Sequence, residues 1–207
     1  MMQSKGISFQ QALKQAQSLG YAEADPTFDI EGYDAGHKIA ILSALAFGTQ
    51  FHFDSRHIQG ITHVELSDIT YADALGYCLK LIAMAKLTDK GIDCRVHPTL
   101  VPKSSFFAGI NDVMNAVVVK ADAVNRIMLA GPGAGSEPTA SAIIADLVDM
   151  IRQIEPREVV FRKTSTTWVE MSETQSEYYL RCCASVLTPS QMKELFNQYG
   201  ICLLYTS

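Results

Sequence analysis

Residues 21–38 read YAEADPTFDIEGYDAGHK, and the interpretation of the whole chain starts from this acidic stretch. It ends in Lys38, which stands at the start of the apolar run 39–47. Pro26 holds the residue before it in an extended conformation and Gly32 frees the backbone, so residues 23–31 are predicted to form an ordered loop. The stretch carries five carboxylates that need a nearby cation, and Lys38 is the nearest one; they are Glu23, Asp25, Asp29, Glu31 and Asp34.

A helix is predicted from Tyr33 to Phe47, with Gly48 just past its end. Asp34 and Lys38 then lie one turn apart, in the order that favours an ion pair and suits the helix dipole. Such a pair is often only a solvated surface contact that contributes about 0.3–0.5 kcal/mol. However, the helix carries no charge after Lys38, which predicts burial nearly all round and a partly desolvated lysine suited to proton transfer.

Residues 20–38 resemble the catalytic segment of homoserine dehydrogenases, which interconvert homoserine and aspartate semialdehyde with a nicotinamide cofactor, NADP or NAD. The resemblance implies that Lys38 transfers the proton beside Asp34. It also implies that the amino-acid substrate is lined by Tyr21, Glu23 and Asp29. Gly36 stands where the family is expected to have alanine, which should loosen the helix slightly.

Composition places the chain among ordinary globular proteins. It is 48% hydrophobic and 19% charged, with a formal net charge of -5 and no long basic run, which argues against a nucleic-acid partner. Its five cysteines show no C-x-x-C spacing, so a disulfide framework or zinc ribbon is not expected and a reducing cytoplasm fits best. No apolar run approaches the length of a membrane span, so no membrane partner is expected.

Two segments flank this stretch. Ser8 and Gln11 form a capping-box pattern that should begin a helix ending at Gly20. Downstream, a short strand is predicted at 63–67 and a helix at 71–77. The intervening segment holds histidines at a spacing that fits no common zinc or iron site, so no metal is predicted there; the residues weighed were His52, Asp54, His57 and His63.

Alternating apolar runs predict the sheet. Residues 80–87 and 94–97 should form a hairpin around the turn 88–91, and residues 115–119 and 126–130 two further strands. We therefore expect an α/β fold of the α+β kind, with a mixed or antiparallel sheet covered by helices. The segments VHPTLVP and NAVVV also resemble the same family. Apolar strand faces on a chain with few covering helices predict a homodimer or homotetramer, with the interface on strands 94–97, 115–119 and 126–130.

The glycine-rich run GPGAG at 131–135 precedes a predicted helix from Pro138 to Ile154. Taken alone, such glycines indicate a tight turn before they indicate a ligand. The run matches neither a dinucleotide fingerprint nor a phosphate-binding loop. It resembles the stretch where homoserine dehydrogenases meet the nicotinamide, and this resemblance implies that Gly135 contacts the cofactor.

The resemblance implies three parts: a catalytic and dimerisation domain at 1–155, a linker at 156–177, and a truncated ACT-like domain at 178–207. The last part is predicted to begin with a strand at 178–183, followed by a helix at 190–199. The family's nucleotide-binding domain is missing, so the fragment alone is expected to be inactive. In the whole enzyme the small-molecule substrate would be homoserine or aspartate semialdehyde, on the route to threonine, methionine and isoleucine. Two alternatives stay open: a non-catalytic amino-acid-sensing or oligomerisation module, and a carboxylate-rich metal hydrolase.

Overall fold

The computed structural model describes residues 1–48, 57–152, 169–174, 176–181 and 188–198. The chain divides into two compact units, residues 1–175 and 176–207. In the first unit the helices are α1 (Met2–Lys5), α2 (Phe9–Ser18), α3 (Thr27–Ile30), α4 (Tyr33–Phe47), α5 (Leu66–Ala74) and α6 (Ser136–Ile151). In the second unit the structure describes α7 (Pro189–Gln198), which confirms the helix predicted there.

The predicted start of α2 is confirmed. The Ser8 hydroxyl accepts a hydrogen bond from the Gln11 backbone N–H at 3.3 Å, and the Gln11 side chain accepts one from the Ser8 N–H at 3.0 Å. These two bonds satisfy amide groups that the first turn of a helix leaves without intrahelical partners. The predicted end of α4 is also confirmed, because Gly48 adopts a left-handed conformation with φ 61°.

Two antiparallel hairpins supply the β-structure. Strand β1 (Tyr77–Thr88) pairs with β2 (Gly91–Pro102), and β3 (Met114–Ala121) pairs with β4 (Asn125–Pro132). The expected α/β fold with antiparallel strands and helices is therefore confirmed. The grouping of residues 94–97 with β3 and β4 in one sheet is wrong, because within the described residues each hairpin forms its own two-stranded sheet.

The core of the first unit lies where α4 and α5 pack on the β1–β2 hairpin. Ile92 and Val96 of β2 are each only 1% exposed. On α4 the buried Ser43 hydroxyl donates to the Ile39 carbonyl at 2.6 Å, which satisfies a polar group that would otherwise be costly to bury. The other buried apolar residues are Ile69, Ala72, Cys78, Cys94, Val101 and Val169.

Several predicted boundaries are wrong. Residues 63–67 do not form a strand, because α5 already begins at Leu66, where the Asp68 carboxylate accepts a hydrogen bond from the Glu65 N–H at 2.8 Å. Gly76, with φ 83°, follows the helix, so Tyr77 opens β1 instead of closing α5. Helix α6 begins and ends earlier than the predicted 138–154. Residues 178–181 have no regular secondary structure, and 182–183 of that predicted strand lie outside the described residues.

Helix α4 is not buried all round. Of its residues only Gly36 and Ser43 are buried, whereas Ile41 is 63% and Leu45 57% exposed. One side of the helix packs on the β1–β2 hairpin. The prediction of burial nearly all round was wrong because the apolar composition of a helix does not say which segments cover it. Among the described residues no helix is long and apolar enough to cross a membrane.

Candidate active site

The predicted acidic loop is ordered by local hydrogen bonds and contains the short helix α3. One oxygen of the Asp25 carboxylate accepts from the Thr27 N–H at 3.1 Å and from the Thr27 hydroxyl at 2.6 Å, which lowers the pKa of Asp25. Asp25 precedes Pro26, the N-cap of α3, and its carboxylate bonds to the first residue of the helix. Before it, the Gln17 amide donates to the Glu23 carbonyl at 2.9 Å, which ties the loop to α2. We call residues 23–38 the acidic corner.

Gly32 turns the chain from α3 into α4. Its φ of 82° is a conformation that glycine adopts without strain. A Cβ atom at this position would also come within 3.3 Å of both Ile58 Cγ2 and Val96 Cγ1. Both the backbone conformation and the close packing on β2 explain the glycine at this bend.

Lys38 and Asp34 form the predicted ion pair on the first turns of α4. Nζ lies 2.6 Å from Asp34 Oδ2, and the two side chains are 61% and 39% exposed. The partial desolvation that was expected for Lys38 is therefore wrong for this chain, because the β1–β2 hairpin does not cover this side of the helix. An exposed pair of this kind contributes about 0.3–0.5 kcal/mol to stability. In this geometry the lysine amine lies beside the Asp34 carboxylate on the first turns of α4.

The acidic corner concentrates negative charge around this lysine. Burial, then the charges of Asp34 and Glu23, raise the pKa of Asp29, and the positive charge of Lys38 opposes them. The three carboxylates and Lys38 are therefore close enough to interact electrostatically. Because the acids outnumber the lysine, the corner favours a second cation, such as an ammonium group.

Tyr21 lies at the edge of this cluster. Its backbone N–H donates to the Ala16 carbonyl at 2.9 Å and closes α2. The side chain is 47% exposed, and within the described residues no side-chain hydrogen bond joins it to the carboxylates. The structure thus brings together Glu23, Asp29, Asp34 and Lys38, while the substrate-lining role of Tyr21 stays a prediction.

Residues 59–61, which lie outside the acidic corner, contact it through the backbone. The Gln59 N–H donates to the Val96 carbonyl of β2 at 2.8 Å, and the Ile61 N–H donates to the Ile30 carbonyl at 2.7 Å. Between them, Gly60 lies directly against the backbone of Ile30 and Glu31. Sequence reasoning missed this support, since nothing local in residues 58–61 indicates a partner so far away in the chain.

Ring contacts join α3 to α4. The Phe28 ring centroid lies 5.1 Å from that of His37 with the planes at 83°, and 6.2 Å from that of Tyr33. The first contact has the edge-to-face geometry that aromatic rings favour. These residues were also missed, because their types carry no signal for a site until the two helices are placed together.

The glycine-rich run forms the N-terminus of α6. Gly135 caps this helix with φ 118° and ψ 161°, a conformation essentially restricted to glycine. Thr139 then donates its hydroxyl hydrogen bond back to the Gly135 carbonyl at 2.9 Å. The first backbone N–H groups of a helix have no intrahelical partners, so this end can approach a polar or anionic ligand closely.

No group of three or more metal-ligating side chains is assembled in the part of the chain that the structure describes. His57 is buried at 8% exposure, and His52 and Asp54 of the weighed segment lie outside the described residues.

Comparisons with known proteins find relatives of one kind. The family model described as homoserine dehydrogenase matches residues 1–148. The homoserine dehydrogenase of Neisseria gonorrhoeae is 49% identical over 189 residues, which cover 87% of this chain and 43% of that protein. The enzyme of Pseudomonas aeruginosa is 52% identical over 151 residues, covering 73% of this chain and 35% of that protein.

Solved structures give the same result. The crystal structure of a homoserine dehydrogenase from Thiobacillus denitrificans matches with a TM-score of 0.71 at 45% identity, over 81% of this chain and 41% of that one. A hyperthermophilic archaeal homoserine dehydrogenase mutant in complex with NADPH matches with a TM-score of 0.55 at 27% identity, over 75% of this chain and 43% of that one. The chain thus spans less than half the length of each of these relatives.

Proposed function

This chain belongs to the homoserine dehydrogenase family, a family of oxidoreductases, and we propose that it supplies the substrate-binding and proton-transfer part of such an enzyme. The reaction is the NAD(P)-dependent interconversion of L-homoserine and L-aspartate 4-semialdehyde, which serves threonine, methionine and isoleucine biosynthesis. The observation that carries the proposal is the Lys38–Asp34 contact of 2.6 Å within a cluster of surplus carboxylates.

Each charged residue has a role that follows from its position. Glu23 and Asp29 hold the substrate's ammonium group, since both belong to the carboxylates that outnumber Lys38. When the aldehyde is reduced, the Lys38 ammonium gives a proton to the carbonyl oxygen; when homoserine is oxidised, the neutral amine takes the hydroxyl proton. Asp34 keeps Nζ in place for both directions.

The cofactor is NADP or NAD, and it supplies the hydride donor or acceptor at the substrate carbon. The N-terminus of α6 fits such a group, because Gly135 has no side chain and the first N–H groups of a helix have no intrahelical partner. The NADPH complex of the archaeal relative supports NADP as the first cofactor to test. Gly135 is proposed as the position of closest backbone approach.

A kinetic comparison tests the role of Lys38. The nucleotide-binding region of the Neisseria gonorrhoeae relative, joined ahead of this chain, provides an enzyme for the assay. In this chimera Lys38→Ala should lower kcat by about 10²–10⁴-fold, as loss of a positioned acid–base group does. Glu23→Ala should act mainly through KM, because its charge meets the ammonium in both the ground and transition states.

Lys103→Ala is the matched control. Lys103 forms an exposed ion pair with Asp73 at 2.7 Å, with side chains 46% and 51% exposed, so this substitution removes a similar contact from outside the acidic corner. If Lys38 were only a structural partner of Asp34, Lys38→Ala would resemble the control, with near-normal kcat and a small change in melting temperature. That result would end the proposed mechanism.

Assembly as a homodimer or homotetramer is part of the proposal. Residues 94–97 are excluded from the expected interface because Cys94 and Val96 are buried within the chain. The β3–β4 hairpin is different, since it exposes the apolar side chains Met114, Val117, Val119, Ile127, Met128 and Leu129. Leu129, at 67% exposure, offers a test: Leu129→Lys should shift the chain towards monomer in light scattering, and a monomeric unsubstituted chain at about 10 μM or more would contradict the proposal.

The domain organisation is proposed on the same basis. Residues 1–155 form the catalytic and dimerisation domain, 156–177 the linker and 178–207 the start of an ACT-like domain. The family match over residues 1–148 supports the first assignment. The compact unit at 176–207, with its helix α7, supports a separate C-terminal part.

A further inference from the structure

Helix α3 is too short to hold its own orientation. It has four residues, whereas isolated helices need about 12–15 residues even to be marginally stable in water. Its two ends are fixed by backbone and capping contacts: Asp25 holds Thr27 at the start, and the Ile30 carbonyl accepts from Ile61 at the end. These contacts hold the backbone at the two ends of α3, and a side-chain contact from the middle of the helix adds a restraint on the direction in which its other side chains project.

We propose that Phe28 and His37 are positioning residues, whose ring contact fixes the rotation of α3 and thereby directs Asp29 towards Asp34 and Lys38. The Phe28 ring extends sideways from α3 and meets His37 at 5.1 Å with the planes at 83°. Adjacent residues in a helix project about 100° apart, so docking Phe28 on α4 also sets the direction of Asp29. The consequence for substrate binding rests on the proposed function.

The ring contact between Phe28 and His37 lies on the same part of α4 as the Asp34–Lys38 ion pair. His37 follows Asp34 by three residues, and residues at this spacing are neighbours on a helix surface. The ring contact therefore sets the position of Asp29 relative to the turn of α4 that carries Asp34 and Lys38. The raised pKa of Asp29, caused by burial and by the charges of Asp34 and Glu23, provides a local signal of that placement.

The exposure of Phe28 separates positioning from simple packing. Its side chain is 50% exposed, so it contributes less to the core than a buried phenylalanine does. Truncating it should disturb α3 more than the global fold. A residue with a purely structural role would instead change the free energy of unfolding without any selective effect on Asp29.

The decisive experiment is an NMR titration of the Asp29 carboxyl carbon in this chain. In Phe28→Ala the pKa of Asp29 should fall towards its ordinary value, because rotation of α3 exposes the carboxylate to water and takes it away from Asp34 and Glu23. Phe28→Tyr keeps the ring and should retain the raised pKa. His37→Phe replaces the imidazole with another aromatic ring and should retain it as well.

Phe107→Ala is the matched control, since it removes the Phe106–Phe107 ring contact of 4.1 Å, which lies outside the acidic corner, and should leave Asp29 unchanged. An unaltered Asp29 titration in folded Phe28→Ala would overturn the proposal. The Asp29 titration needs no turnover. The positioning proposal can therefore fail while Lys38→Ala still lowers kcat, and the proposed role of Lys38 can fail while the titration behaves as expected. In the chimera, Phe28→Ala should raise KM for homoserine by about tenfold while kcat changes less, because the charge of Asp29 meets the ammonium in both the ground and transition states.

Discussion

Substituting alanine for Gly60 should destabilise the chain and displace the end of α3. An ideal Cβ atom at this position would lie 2.2 Å from the Ile30 carbonyl oxygen, 2.4 Å from Glu31 Cα and 2.8 Å from the Glu31 carbonyl carbon. All three neighbours are backbone atoms, so no side-chain rotation can relieve the overlap. The same backbone carries Asp29 one residue earlier, which connects the substitution to the acidic corner.

The size of the effect follows from these distances. Carbon–oxygen contacts are ordinarily no closer than about 3.3 Å, so the two segments must separate by about 1 Å. That movement stretches the 2.7 Å hydrogen bond from the Ile61 N–H to the Ile30 carbonyl. Overpacking of this kind and a weakened hydrogen bond together cost about 2–4 kcal/mol. For a chain of this size we expect a fall in Tm of roughly 4–16 °C.

Thermal and urea unfolding measure the effect, with Gly109→Ala as the matched control. Gly109 has no atom within 4 Å of an ideal Cβ and is not in a left-handed conformation, so the same added methyl meets open space. The control should change the unfolding free energy by less than about 1 kcal/mol. Equal Tm values for Gly60→Ala and Gly109→Ala would refute the inference that the segment at Gly60 bears on α3.

Three further outcomes are expected. The raised pKa of Asp29 means that the folded chain binds this proton more tightly than the unfolded chain, so stability falls as the pH rises above the ordinary value of 3.8. Asp29→Asn should therefore raise the free energy of unfolding at pH 7 by no more than roughly 1 kcal/mol, the scale of exposed charges, and thermal unfolding near pH 3 should show no gain. Gly135→Ala should cost about 1–3 kcal/mol because of its φ of 118°, measurable by urea unfolding, and normal stability would contradict the turn geometry. Burial raises the pKa of Cys94 to about 11, so peptide mapping should find this thiol unlabelled by iodoacetamide at pH 8 in the folded chain, and labelling at the rate of the unfolded chain would contradict it.

Several elements could be predicted because their signals are local. The capping box at Ser8 and Gln11 and the glycine after Phe47 set helix boundaries through contacts within a few residues. The hairpins followed from alternating apolar runs on either side of short turns. Helix α5 begins earlier than the predicted residue 71, because Asp68 bonds back to Glu65 and so starts the helix at Leu66.

The sequence by itself determined the Asp34–Lys38 pair, because residues four apart in a helix must be neighbours whatever else the chain does. It did not determine the exposure of Lys38, since burial depends on which distant segments cover a helix and not on the apolar content of the helix itself. Only the tertiary structure placed Asp29 beside Asp34 and brought the segment around Gly60 under α3. The contacts around Gly60 join residues 59–61 to Ile30 and Val96, which are distant in the chain, through backbone hydrogen bonds that any residue type except proline can donate and no sequence pattern announces.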